Sequence, residues 1–135
     1  MAFQLSVAAR NALLDAIETT TGTAATLKIR TGAPPATCAT ADSGTVLATA
    51  ALPSDWMANA SGGTKALSGT WQDASADAAG TAGHFRIYDT AGTTCHMQGT
   101  VTATGGGGDM TVDNAVFAAA QVFNVTSFTL TAPNA

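Results

Sequence analysis

The sequence predicts one mainly β domain, an antiparallel β-sandwich or jelly roll preceded by a single helix. Three observations carry this expectation. The chain has 135 residues, enough for one hydrophobic core. Apolar residues recur at three- and four-residue spacing only near the start and at every second position afterwards. Clusters of Gly, Pro, Asn and Asp separate the alternating runs and supply turn chemistry. Residues 1–22 are therefore read as a helical segment and residues 23–135 as the β-sandwich, with no internal repeat and no domain linker.

In chain order, Leu5, Val7 or Ala8, Ala12, Leu13 or Leu14 and Ile17 fit one face of a helix that Ser6 can cap. A threonine triplet disfavours its continuation, and Gly22 stops it. In "ATLKIRTG", Leu27 and Ile29 alternate with Lys28 and Arg30; in "HFRIYDT", Phe85 and Ile87 alternate with His84, Arg86 and Tyr88. Both read as half-buried strands. Further strands are expected in "TVLATAAL" from Thr45, "CHMQGTVTA" from Cys95, "MTVDNA" from Met110 and "QVFNVTSFTLT" from Gln121.

The last of these has a phase problem. Phe123 and Val125 share one parity and Phe128 and Leu130 the other, so a β-bulge near Thr126 or Ser127 is needed to keep both pairs inside. The expected core is Leu27, Ile29, Phe85, Ile87, Cys95, Met97, Val101, Phe123, Val125, Phe128 and Leu130. "GAPPATCATADSG" (Gly32 to Gly44) and "DASADAAGTAG" (Asp73 to Gly83) lack a periodic apolar face and read as long surface loops.

Composition narrows the function classes. Only 10% of residues are charged, 6% are aromatic and the net charge is -4, so a folded chain is expected rather than a disordered one. The five cations, Arg10, Lys28, Arg30, Lys65 and Arg86, are dispersed and form no phosphate-binding footprint, which argues against direct nucleic-acid contact. No apolar run is long enough to span a membrane, and none follows Arg10 as an export signal would require, so synthesis in a cytoplasm is expected.

No catalytic constellation emerges. Glu18 is the one glutamate among eight scattered aspartates, and no nucleophile elbow is present. "TGGGGDM" lacks the Gly-Lys-Ser/Thr of a phosphate loop and reads as a flexible turn between strands. Two cysteines, Cys38 and Cys95, with His84 and His96 lack zinc spacing, so neither metal nor cofactor is expected. Strand alternation places Cys95 and Met97 inward and His96 and Gln98 outward, which separates the adjacent cysteine and histidine. A Cys38 to Cys95 disulfide would tie the first long loop to a core strand. A reducing cytoplasm opposes it, while a particle released from the cell could oxidise, so that pairing stays open.

Trp56 and Trp71 lie in "PSDWMANASGG" and "SGTWQDASADA", segments of small and polar residues. They are either core plugs or contact anchors. As anchors they would join Pro34 and Pro35 in a contact surface with partners, or form a stacking platform for sugars.

The opening "MAFQLSVAARNALLDAIETTTGTAATLKIRTGAPPA", the middle "LPSDWMANASGGTKALSGTWQDASADAAGTAGHFRIYDTAGTTCHMQGTV" and the ending "VTSFTLTAPNA" together resemble small virion proteins of tailed bacteriophages, and among these the capsid cement or decoration proteins. The resemblance implies a sandwich or jelly-roll module without catalytic residues. Made in the host bacterial cytoplasm, it would sit on the outer capsid surface and bridge neighbouring copies of the major capsid protein. A tail, neck or fibre-associated virion part is the nearest rival, and a carbohydrate-binding module a more distant one. The uncharged run Gln121 to Thr131 should be central in its sheet or covered by another copy of the chain, and a dimer or trimer would provide that cover.

Overall fold

A computed structural model describes residues 2–135; Met1, at the start of the expected helical segment, lies outside the described residues. Helix α1 (Val7–Thr21) has the expected ends. The Ser6 hydroxyl accepts from the Ala9 N–H at 3.2 Å, and Gly22, at φ +95°, donates its N–H to the Glu18 carbonyl at 2.9 Å.

Its orientation departs from the expected apolar stripe. Arg10, Leu14 and Thr21 are buried, whereas Val7 and Leu13 are about half exposed. The inward face is polar because it meets main-chain groups. Arg10 donates to the Ala132 carbonyl at 2.8 Å, while Asn11 and Asp15 accept from the N–H groups of Gly63 and Ala60 at 2.8 and 3.0 Å. These donors and acceptors would be orphaned beneath an apolar helix.

Ten strands follow: β1 (Thr26–Arg30), β2 (Val46–Ala51), β3 (Thr64–Ala66), β4 (Gln72–Asp73), β5 (Gly80–Thr81), β6 (His84–Tyr88), β7 (Cys95–Ala103), β8 (Met110–Val112), β9 (Val116–Phe117) and β10 (Phe123–Thr131). The six strands expected from alternation are β1, β2, β6, β7, β8 and β10. The stretch Asp73 to Gly83 is not a plain surface loop. It contains β5 and buries Ala76 and Ala82, whose small side chains carry no periodic signal.

Eight strands form one sheet in the order β2-β1-β6-β7-β8-β10-β3, with β4 also paired to β10; β5 and β9 form a small second sheet. The sheet rolls on itself. Its far edges meet where Asp77 donates its N–H to the Leu47 carbonyl at 2.8 Å and Thr49 donates its N–H to the Asp73 carboxylate at 3.0 Å. All ladders are antiparallel except β7 with β8. The glycine run makes that parallel return possible: Gly105 and Gly107 take positive φ, and a Cβ on Gly106 would lie 2.7 Å from Thr102.

The bulge expected in β10 is present, as a register shift between Val125 and Ser127, and Phe123, Val125 and Phe128 are all buried. Strand β10 is interior over most of its length, with β8 on one side at Val125–Phe128 and β4 and β3 on the other. Of the expected core, Cys95, Met97 and Leu130 are only partly buried, and the rest is inside. Strand β6 is not half-buried: all five of its residues are inside.

Candidate functional site

The outer face of β6 is buried because the segment Gly32 to Gly44 folds across it. Four of the five dispersed cations, Arg10, Arg30, Lys65 and Arg86, are buried and serve the fold. Arg86 is 1% exposed and holds the segment from beneath. Its guanidinium donates to the carbonyls of Cys38 at 2.6 Å and Thr40 at 3.1 Å and pairs with the Asp42 carboxylate. Asp42 also receives Arg30 at 2.5 Å and the Tyr88 hydroxyl at 2.8 Å. At the ends of the segment, Gln98 donates to the Pro35 carbonyl at 2.6 Å and His84 Nδ1 to the Gly32 carbonyl at 2.9 Å. Asp42, inside an unpatterned loop, gave no sign of this role beyond being a lone carboxylate near two prolines.

A second buried cation fastens α1. Lys65, on β3, is 2% exposed and meets Asp15 at 2.7 Å, Glu18 at 2.9 Å and the Ala58 carbonyl at 2.9 Å. A single lysine after two glycines has no motif, and only topology brings it beneath the helix.

These clusters set the acid response. Burial alone would raise the Asp42 pKa, but the Tyr88 hydroxyl and the charges of Arg30 and Arg86 hold it below the ordinary aspartate value of 3.8. Hydrogen bonding from Lys65 lowers Asp15 in the same direction. A carboxylate with a depressed folded pKa stabilises fully above its unfolded value, and that contribution is lost as pH falls through the folded value. Urea midpoints should therefore be flat from neutral pH to about pH 5 and fall steeply below about pH 4. A flat profile to about pH 2 would show these carboxylates to be unimportant for the fold. At the alkaline end, burial followed by the Asp42 carboxylate pushes Tyr88 up to about 12 from 10.0. The folded state thus retains a proton that the unfolded chain releases, and stability declines between those two values.

The structure rearranges the candidate residues. Trp56 and Trp71 are 0% and 1% exposed, so neither is a contact anchor or a sugar platform. They are core plugs whose indole N–H groups are satisfied by main-chain carbonyls, Trp56 to Gly22 at 2.9 Å and Trp71 to Trp56 at 3.0 Å. Pro34 and Pro35 are half-buried in the strapped segment. Cys38 and Cys95 carry free thiols and line one hollow of about 280 Å³ with Arg86 and Asp42.

Cys95 does not share the inward face with Met97. A register shift between Ile87 and Tyr88 turns the Cys95 sulfur to the Arg86 side, where it accepts from Nε at 3.2 Å, while Met97 packs against the core. His96 lines a different hollow, against Leu13 and Ile17 of α1. Among the described residues no three His, Cys, Asp or Glu side chains gather to hold a metal.

The sheet is interrupted by a missing piece of strand. β8 pairs with β7 only at Val101–Ala103 and with β10 only at Val125–Phe128, so no strand lies between Cys95–Thr100 and Thr129–Thr131, and Asp109 occupies only the end beside Thr100. Two strand spacings separate these banks, about 10 Å. The opening is a hollow of about 430 Å³ whose apolar lining is Phe85, Met97, Phe128 and Leu130. Val101 donates its N–H to Gly83 on the β6 side and Thr100 donates to the Asp109 carboxylate on the other. By ladder alternation, the main-chain groups of Gln98 face the opening. On the β3 side Leu67 donates its N–H to the Phe128 carbonyl and Ala132 donates its N–H to the Gly63 carbonyl, so the main-chain groups of Thr129 and Thr131 point the other way, toward the opening. Alternation alone revealed both strands but not how short β8 is. No family model, curated protein or solved structure matches the chain.

Proposed function

We propose that the protein is a non-catalytic component of a phage particle that sits on the outer capsid surface and strengthens the shell by bridging neighbouring major capsid subunits. The observation that carries this reading is the gap between β7 and β10. Main-chain groups of Gln98 and Thr131 directed into this gap over an apolar floor suit an extended segment of another chain, added as a strand. Such pairing is tolerant of sequence, and repetition over a closed shell multiplies modest single contacts. The buried cations are committed to internal clamps, which leaves the surface poor in acid-base pairs. With both tryptophans inside, the sugar-binding reading has lost its platform. Self-contact as a dimer or trimer rests on exposed Phe3, Val7 and Leu13 rather than on the tryptophans or a bare β10 edge.

Particles lacking the protein should assemble yet release DNA or rupture at lower temperature, and added protein should restore them. Met97→Arg, which puts a charge in the gap, should abolish attachment. Equal robustness with and without the protein would remove the capsid role, and gold label confined to the tail would transfer it to a tail or neck part.

A further inference from the structure

We propose that Cys38 and Cys95 form a redox latch, a dithiol that closes to a disulfide and locks the segment Gly32 to Gly44 onto β7 when the protein meets an oxidising surrounding. The inference is independent of the capsid reading. The two cysteines are 57 positions apart, and the fold brings them to one hollow through Arg86. That side chain donates from Nε to the Cys95 sulfur at 3.2 Å and from Nη2 to the Cys38 carbonyl at 2.6 Å. Both residues are half-buried, so a small reagent has access while the backbone on each side is held.

The covering segment is tethered on both sides of Cys38. Arg86, Arg30 and Tyr88 fix Asp42 on one side of Cys38, and Gln98 fixes Pro35 on the other. The Cys95 thiol is pushed up to about 11 by burial first and then by the adjacent Cys38 thiol, which keeps it protonated at neutral pH. With Cys95 held protonated, the first attack is assigned to Cys38.

The oxidant required is a small-molecule disulfide. The Cys38 thiolate attacks one of its sulfurs, forming a mixed disulfide and expelling one thiolate, which takes up a proton. Cys95 then loses its proton to solvent, attacks the Cys38 sulfur and expels the second thiolate. One S–S bond forms as another breaks, and two electrons pass from the cysteine pair to the reagent.

The test treats the native, reduced chain with oxidised glutathione and counts alkylatable thiols by mass. Both thiols should disappear together, with loss of two hydrogens, and peptide mapping should join Cys38 to Cys95. Closing a loop of this length should raise Tm on the order of 10 °C, and dithiothreitol should reverse the rise. Cys95→Ser should stop at a glutathione adduct on Cys38 with no such rise. Two thiols that stay alkylatable, a stable glutathione adduct on the unmodified chain, or a disulfide formed only between two chains would each overturn the proposal. The readout is mass, so a variant that folds poorly cannot disguise the result for the native protein.

Discussion

Replacing Arg86 with Ala is expected to cost about 3–5 kcal/mol of unfolding free energy, the scale for removing one partner of a buried ion pair. The loss has two parts. Asp42 would face Arg30 and Tyr88 without its second cation, and the carbonyls of Cys38 and Thr40 would lose their donor beneath a covering segment. Hydrogen exchange should accelerate across residues 32–44 before it does in β1 or β7, because the segment is held chiefly from below. Arg86→Lys should recover little, since a lysine cannot reach Cys95, Cys38 and Asp42 with one planar fork. A double-mutant cycle with Asp42→Asn checks the assignment. If the Arg86 and Asp42 effects add without coupling, the two are not one unit and the strap is held elsewhere.

The β6 strand shows where sequence reasoning reached and where it stopped. Alternation in "HFRIYDT" correctly paired Phe85 with Ile87 on the core side. It read the strand as half-buried, with His84, Arg86 and Tyr88 on the other face, because polar alternation normally marks a face away from the core. What reversed that assignment is a long-range event, a segment some 45 residues earlier folding across the sheet, and no local period encodes it. The same holds for α1. Its caps are local and were legible at Ser6 and Gly22, but its inward face was chosen by the carbonyl of Ala132, the amides of Ala60 and Gly63, and Lys65, all distant in sequence. Parity did locate the β10 bulge, since two apolar pairs of opposite parity, all inside except the partly buried Leu130, admit few other solutions. The gap between β7 and β10 was hidden because it depends on β8 beginning only at Met110, directly after the glycine return.

Trp71→Ala should lower stability by about 3–5 kcal/mol and Tm on the order of 10–20 °C, the cost of emptying a large aromatic site in a core of this size. Trp71 lies between Trp56, with ring centroids 5.8 Å apart, and Phe128, at 5.4 Å, and Phe128 meets Phe85 edge-on at 5.4 Å. This aromatic row continues from the underside of α1, where Trp56 donates to Gly22, to the floor of the β7/β10 gap. The chain has few other large side chains to collapse into the space, because alanine, threonine and glycine dominate it. Trp71→Phe should cost less, since it keeps most of the contact with Phe128 and loses the N–H bonds to Trp56 and Ser68. The pair also separates a core role from a contact role. A core residue predicts a graded loss of stability from Phe to Ala, with capsid attachment of the folded Phe variant unchanged. A contact anchor predicts the reverse, lost attachment at unchanged Tm, and that outcome would place Trp71 back on the surface.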